Sequence, residues 1–172
     1  MEATIIGTAQ SSVYELDGIQ YPASKLVDGK GLDGIFNNEN GCASTKKYAN
    51  GTHWFSLELD IFEIVTKVQI ARRMDRIGVQ GSNVDITIGY SRNYDSNDSL
   101  CLPKITHLEL QTGLVDYICT GSPKKGKYVK ISSSSSETKH LCICEAKIFV
   151  RPAGSGGCSF HYLFIFNLYM SS

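Results

Sequence analysis

Residues Val65 to Tyr90 read VTKVQIARRMDRIGVQGSNVDITIGY. On one side Thr66, Val68 and Ile70 alternate with Lys67 and Gln69. On the other Val84, Ile86 and Ile88 alternate with Asp85 and Thr87. A period of two in β-branched residues marks half-buried strands. Between them lie Arg72, Arg73, Met74, Asp75 and Arg76, followed by Gly78, Gln80, Gly81 and Ser82. A loop this dense in donors and acceptors, held between two strands, is where a binding protein carries its site.

Working outward, the same period recurs. Phe55, Leu57, Leu59 and Ile61 alternate with Trp54, Ser56, Glu58 and Asp60, which predicts a strand with one buried face. Shorter alternating runs cover 105–110, 114–119 and 127–132, and a last strand is expected over 141–150 with Cys144, Ala146, Ile148 and Val150 on one face. Residues 3–14 read as an entry strand or extended arm, and Ala23 to Gly29 as a short segment, at most one helical turn, ending in a turn. Turns are expected at 121–126, and the five serines 132–136 read as a solvated loop tip. About eight short strands separated by turns, with no long helical period, predict an all-β antiparallel sandwich or jelly roll. The domain should span 1–151. After Arg151-Pro152 the chain becomes linker-like, then aromatic and apolar over 160–170, too short to span a bilayer; residues 152–172 are expected to lie outside the fold.

Composition narrows the function classes. The chain has 172 residues, enough for one domain with a real core. Lys plus Arg and Asp plus Glu number 17 each, so the net charge is zero. No broad field favours nucleic acid or an anionic membrane. Six cysteines are many for a cytosolic domain and fit an oxidising compartment. Asn50-Gly51-Thr52 and Asn97-Asp98-Ser99 are glycosylation triplets, usable only in the secretory pathway. Met1 to Gln10 shows neither the basic nor the apolar region of a leader, so secretion is expected from the cysteines, with the leader missing from this sequence or the start misassigned. No nucleophile elbow, HExxH or phosphate loop is present, and a binding protein is expected rather than an enzyme. His53, His107 and His140 read as surface or strand residues, and Trp54, Tyr90 and Tyr94 as core or rim packing.

Lys30 to Asn40 holds Gly31, Asp33, Gly34, Asn37, Asn38, Glu39 and Asn40. Asn, Asp and Gly favour turns, and the same oxygen-rich composition suits calcium. The spacing is not that of an EF-hand. Composition alone favours a plain turn over a metal site.

Several pieces together resemble a known family. They are GTAQSS at 7–12, ASKLVDG at 23–29, CAST at 42–45, Trp54 with the strand to Asp60, Arg73-Met74-Asp75, GKYV at 126–129 and LCICE at 141–145. Their order is similar to that of the F-type lectins, galactose-binding-like jelly rolls, over residues 5–150. The resemblance implies a fucose-binding lectin that recognises fucosylated glycans on cell surfaces or microbes, with a homo-oligomer as one possible state. The family pattern is His…Arg-x-Asp…Arg/Lys. Arg73 would donate to the sugar, and Asp75 would hold the guanidinium or the loop. The second basic position falls at Gln80 if the loop keeps the family length and at Arg76 if it is shortened. The family histidine maps to Ser44. The resemblance also implies a structural calcium ion, with Asp33 and Glu145 as side-chain ligands and Lys30 and Gly41 offering backbone carbonyls, and so reverses the reading of that loop. It implies the disulfides Cys42–Cys144 and Cys101–Cys119. Cys142 and Cys158 are left over; zinc on Cys142, Cys144 and His140 would lack a zinc spacing. The alternative is a discoidin-like adhesion module that kept the sandwich and lost the sugar site.

Overall fold

The computed structural model describes residues 1–36, 41–47, 51–74, 81–93, 95, 97–109, 112–133 and 140–151. Asp75, Arg76, Gln80, Asn50, Tyr94, Cys158 and the whole of 152–172 lie outside the described residues. The described chain is built from strands, with one 3-10 turn, Ala23–Leu26, where a single helical turn was expected.

The strands are β1 (Ile5–Gln10), β2 (Tyr14–Leu16), β3 (Ile19–Tyr21), β4 (Ala43–Ser44), β5 (His53–Arg72), β6 (Ser82–Gly89), β7 (Ser99–Leu100), β8 (Ile105–His107), β9 (Val115–Ile118), β10 (Lys124–Ser133) and β11 (Cys142–Arg151). All pairings are antiparallel. The main sheet runs β4-β11-β5-β10-β6-β7, with β1 and β9 also on β5 and β8 on β6. The small hairpin β2–β3 turns at Asp17-Gly18, where both residues have positive φ (52° and 78°), as a tight Asp-Gly turn requires.

β5 closes the sandwich. The two strands expected at 54–61 and from Val65 are one strand of 20 residues. Its first part lies between β1 and β10, and its second part between β11 and β9. Asp60, Ile61 and Phe62 are exposed where it passes from one neighbour set to the other, so Ile61 leaves the buried face expected of it. Phe55, Leu57 and Leu59 from the first part share one core with Val65, Val68 and Ile70 from the second and with Val84, Ile86 and Ile88 of β6. Each such side chain contributes about 1.5–3 kcal/mol when fully buried. The strands that open and close the quoted stretch do not pair with each other; β10 lies between them.

Three local expectations change. β10 starts at Lys124, so the turn before it ends at Pro123, and Gly126 sits where an added Cβ would come within 2.6 Å of the Gly89 carbonyl oxygen. Ser132 and Ser133 are buried at the end of β10 rather than solvated, because strands lie on both sides of them. In β11 a bulge between Ile143 and Glu145 reverses the face. Ile143, Ala146, Ile148 and Val150 enter the main core, whereas Cys142 and Cys144 turn to Cys42 and Phe36. Cys144 therefore leaves the face on which the simple alternation put it. Both expected disulfides, Cys42–Cys144 and Cys101–Cys119, are formed.

Candidate functional site

A ring of contacts defines one rim of the sandwich. His53 Nδ1 lies 3.0 Å from Thr45 Oγ1, and the Leu141 N–H donates to the same oxygen at 2.9 Å. Ser44 pairs with Cys142, and Ile143 with Arg72. Arg72 Nη1 donates to the Leu108 carbonyl at 2.7 Å, and the Leu108 N–H to the Gly81 carbonyl at 2.8 Å. Ser133 Oγ donates to the Ser82 carbonyl at 2.8 Å, and Ser133 pairs with His53, closing the ring. Both ends of β5 thus reach the same rim. The residues that flank 48–50, 75–80 and 134–139 belong to it or stand within two residues of it.

Arg73 sits on this rim with its guanidinium 3.9 Å above the Phe36 ring. Phe36 stacks on Tyr21 at 4.4 Å, and Tyr21 lies 5.8 Å from Tyr14. A cation over an aromatic face is held electrostatically as well as by packing. The loop that carries Phe36 is docked from below: the Met74 N–H donates to the Gly34 carbonyl at 2.8 Å. Gly34 has φ +69°, and a Cβ there would meet the Arg72 carbonyl oxygen at 2.7 Å, so only glycine fits. Arg73 is nearly buried, at 9% exposure. Burial lowers the pKa of neighbouring Arg72, which spends its guanidinium on holding β8 to the rim.

Ser44, the match to the family histidine, is 1% exposed. Its hydroxyl donates to the Thr45 carbonyl at 3.4 Å. At the position matched to the family histidine, the chain therefore presents a short side chain packed inside the rim. The other three expected contacts, Asp75, Gln80 and Arg76, lie outside the described residues. The histidines separate. His53 is buried and its pKa is lowered by that burial. His140 is buried and stacks on Tyr14. His107 is exposed, with Nδ1 2.8 Å from Ser82 Oγ. Tyr90, expected as packing, is 67% exposed beside Phe62.

Glu145 is 2% exposed and takes the Gly29 N–H on Oε2 at 3.1 Å. Burial, then the nearby Asp28 charge, pushes its pKa up from 4.5 to about 7, against the opposing pull of the Gly29 and Gly31 N–H groups and Lys147. The carboxylate that Glu145 feels is Asp28, which stands in the 23–29 piece of the resemblance but is not among the ligands the sequence reading named. Asp33 accepts the Ile35 N–H at 2.9 Å and shapes its own turn. Lys30 is exposed and Gly41 buried. Among the described residues, no three His, Cys, Asp or Glu side chains converge on a metal position. Gly31 passes so close to β11 that a Cβ would fall 1.9 Å from the Cys144 carbonyl oxygen. Glu145 and Asp28 are thus two carboxylates brought together beside the 28–36 segment, and the backbone groups recorded on Glu145 are the Gly29 and Gly31 N–H donors.

No family model and no curated protein sequence matches the chain. Solved structures do. A fucolectin from striped bass (Morone saxatilis) serum superposes with a TM-score of 0.69 at 23% identity, over 88% of this chain and 48% of that one. A fucose-binding module of Streptococcus pneumoniae gives 0.61 at 28% identity, over 84% and 93%. The lectin domain of lectinolysin in complex with Lewis B antigen gives 0.62 at 19% identity, over 84% and 92%. The chain carries the galactose-binding-like fold of the F-type lectins. It spans about half the length of the striped bass fucolectin. No helix among the described residues is long and apolar enough to cross a membrane.

Proposed function

We propose that the protein is a secreted, calcium-stabilised lectin that binds fucosylated glycans on cell surfaces or microbes, in recognition or adhesion. The observation that carries this reading is the Arg73 guanidinium held over Phe36 at the rim, in a fold whose fucose-binding neighbours include a module 28% identical. A guanidinium offers several donors in a fixed fork, suited to ring oxygens and adjacent hydroxyls. Asp75, Gln80 and Arg76 follow it in sequence and supply the remaining polar groups of the proposed contact.

In this reading Glu145 and Asp28 hold the calcium ion with loop carbonyls, including those offered by Lys30 and Gly41, and Asp33 contributes as a ligand or as the shaper of its turn. A bound ion would be structural, offsetting the charge of the buried carboxylate, and its holders would link the 28–36 segment to β11. That segment carries Phe36, which orients Arg73. The rim residues bind and position; the reading assigns no catalytic step.

A second reading has an observation in its favour. The position matched to the family histidine is a buried serine, Ser44, which suits a discoidin-like adhesion module without a sugar site. A glycan array separates the two. The lectin reading expects fucosylated glycans among the bound spots and loss of that signal in Arg73→Ala, since each hydrogen bond from a charged donor contributes about 1.5–3 kcal/mol and monosaccharide binding is weak. No bound glycan in the calcium-loaded wild type, with Arg73→Ala unchanged in adhesion to protein ligands, favours the module.

A further inference from the structure

The triplet Asn97-Asp98-Ser99 is left unused by the binding reading. Asn97 is exposed in the turn before β7. Its backbone N–H and its Nδ2 both donate to Asp95 Oδ1, at 2.9 and 3.0 Å. That contact uses one of the two Nδ2 hydrogens. The middle residue points the other way: the Asp98 carboxylate pairs with Lys130 Nζ, and the side chains are 6% and 0% exposed. Asp98 therefore anchors the turn inward while Asn97 stays on the surface. Ser99 is also exposed, on the two-residue edge strand β7.

The placement in the fold matters as much as the triplet. β6 starts at Ser82 on the rim and ends at Gly89, and its residue Ile88 pairs with Ser99. Asn97 thus stands at the end of β6 away from Arg73. A bulky group there would leave the rim open. The two disulfides match the compartments in which such triplets are used.

We propose that Asn97 is an N-glycosylation site, the acceptor of an oligosaccharide from a polyprenyl-pyrophosphate-linked donor. The amide Nδ2 forms a bond to C1 of the first sugar. The bond from C1 to the pyrophosphate oxygen breaks, the lipid pyrophosphate leaves with the electron pair, and Nδ2 gives up one proton. The proposal does not depend on sugar binding at the rim, so either can fail alone.

The test is expression of the chain with a secretion leader in a eukaryotic host, in an Asn50→Gln background so that one triplet remains. The secreted protein is mapped by mass spectrometry before and after treatment with a peptide N-glycosidase. The expected result is a glycan-bearing peptide containing Asn97, converted to aspartate at that position on release. Ser99→Ala should abolish it without lowering the melting temperature, Asn97→Gln should abolish it, and Ser99→Thr should raise the occupied fraction. An unmodified Asn97 in the folded, secreted protein with either Ser99 or Ser99→Thr would overturn the proposal.

Discussion

The ion pair between Lys130 and Asp98 offers a sharp test of the packing. Lys130 lies in the middle of β10 with no exposed surface, and Asp98 reaches it from the turn before β7. An ammonium group removed from water loses several kcal/mol of solvation, which only a well-placed partner offsets. Asp98→Ala would leave the charge buried and unpaired. Breaking such a pair from one side costs about 3–5 kcal/mol, which for a domain of this size lowers the melting temperature by about 6–20 °C. Gly89→Ala should act through the same pair, because a Cβ at Gly89 would fall 1.8 Å from Asp98 Oδ1 and push the carboxylate aside. The control is Glu58→Gln, which removes the half-exposed partner of Lys127 and should cost about 0–1 kcal/mol. Lys130→Met with Asp98→Leu removes both charges and should recover most of the loss, as hydrophobic replacement of a buried pair often does. Thermal and urea unfolding of the set read the effect. A loss in Asp98→Ala no larger than in Glu58→Gln would refute the reasoning.

Two further predictions concern the proposed site. Phe36→Ala removes the ring beneath Arg73 and should weaken fucoside binding about 2–30-fold, the equivalent of the 0.5–2 kcal/mol typical of a cation–π contact, while Phe36→Tyr retains it; titration calorimetry with a fucosylated oligosaccharide checks this, and equal affinity in all three proteins would remove Phe36 from the site. In calcium-free protein, Glu145 holds its proton to about pH 7 in the fold but releases it near 4.5 in the unfolded chain. The fold binds more protons between those values, so the contribution of Glu145 to stability is fully present below pH 4.5 and is lost as pH rises through 7, by about 3 kcal/mol at most. Urea midpoints in chelator at pH 5 and pH 8 should show the drop, Glu145→Gln should flatten it, and millimolar calcium should raise the melting temperature most at the higher pH; the same slope in Glu145→Gln, or no response to calcium, would count against this carboxylate as a ligand.

The sandwich was legible because its signal is local and repeated. Val84, Ile86 and Ile88, or Phe55, Leu57 and Leu59, announce a buried face by period alone, and all six are buried. What escaped was whatever depends on a third strand or on a broken period. Ser132 and Ser133 look like the start of a solvated run, and only the strands on both sides of β10 show why they are inside. Cys144 shares a parity with Ala146 in the sequence and loses it to one bulge, which brings it onto Cys42 instead. The site follows the same division. The pairing of Arg73 with Phe36 joins residues 37 positions apart through a stacking contact that leaves no periodic trace, and the link of Asp28 to Glu145 spans more than a hundred residues. Both become visible once the 28–36 segment is seen docked between β11 and the end of β5, with Gly31 against the Cys144 carbonyl and Gly34 against the Arg72 carbonyl. That docking gives the calcium reading and the sugar reading a common mechanical element. A change that loosens the 28–36 segment, at Glu145 or at Gly34, should therefore disturb Arg73 before it disturbs the core.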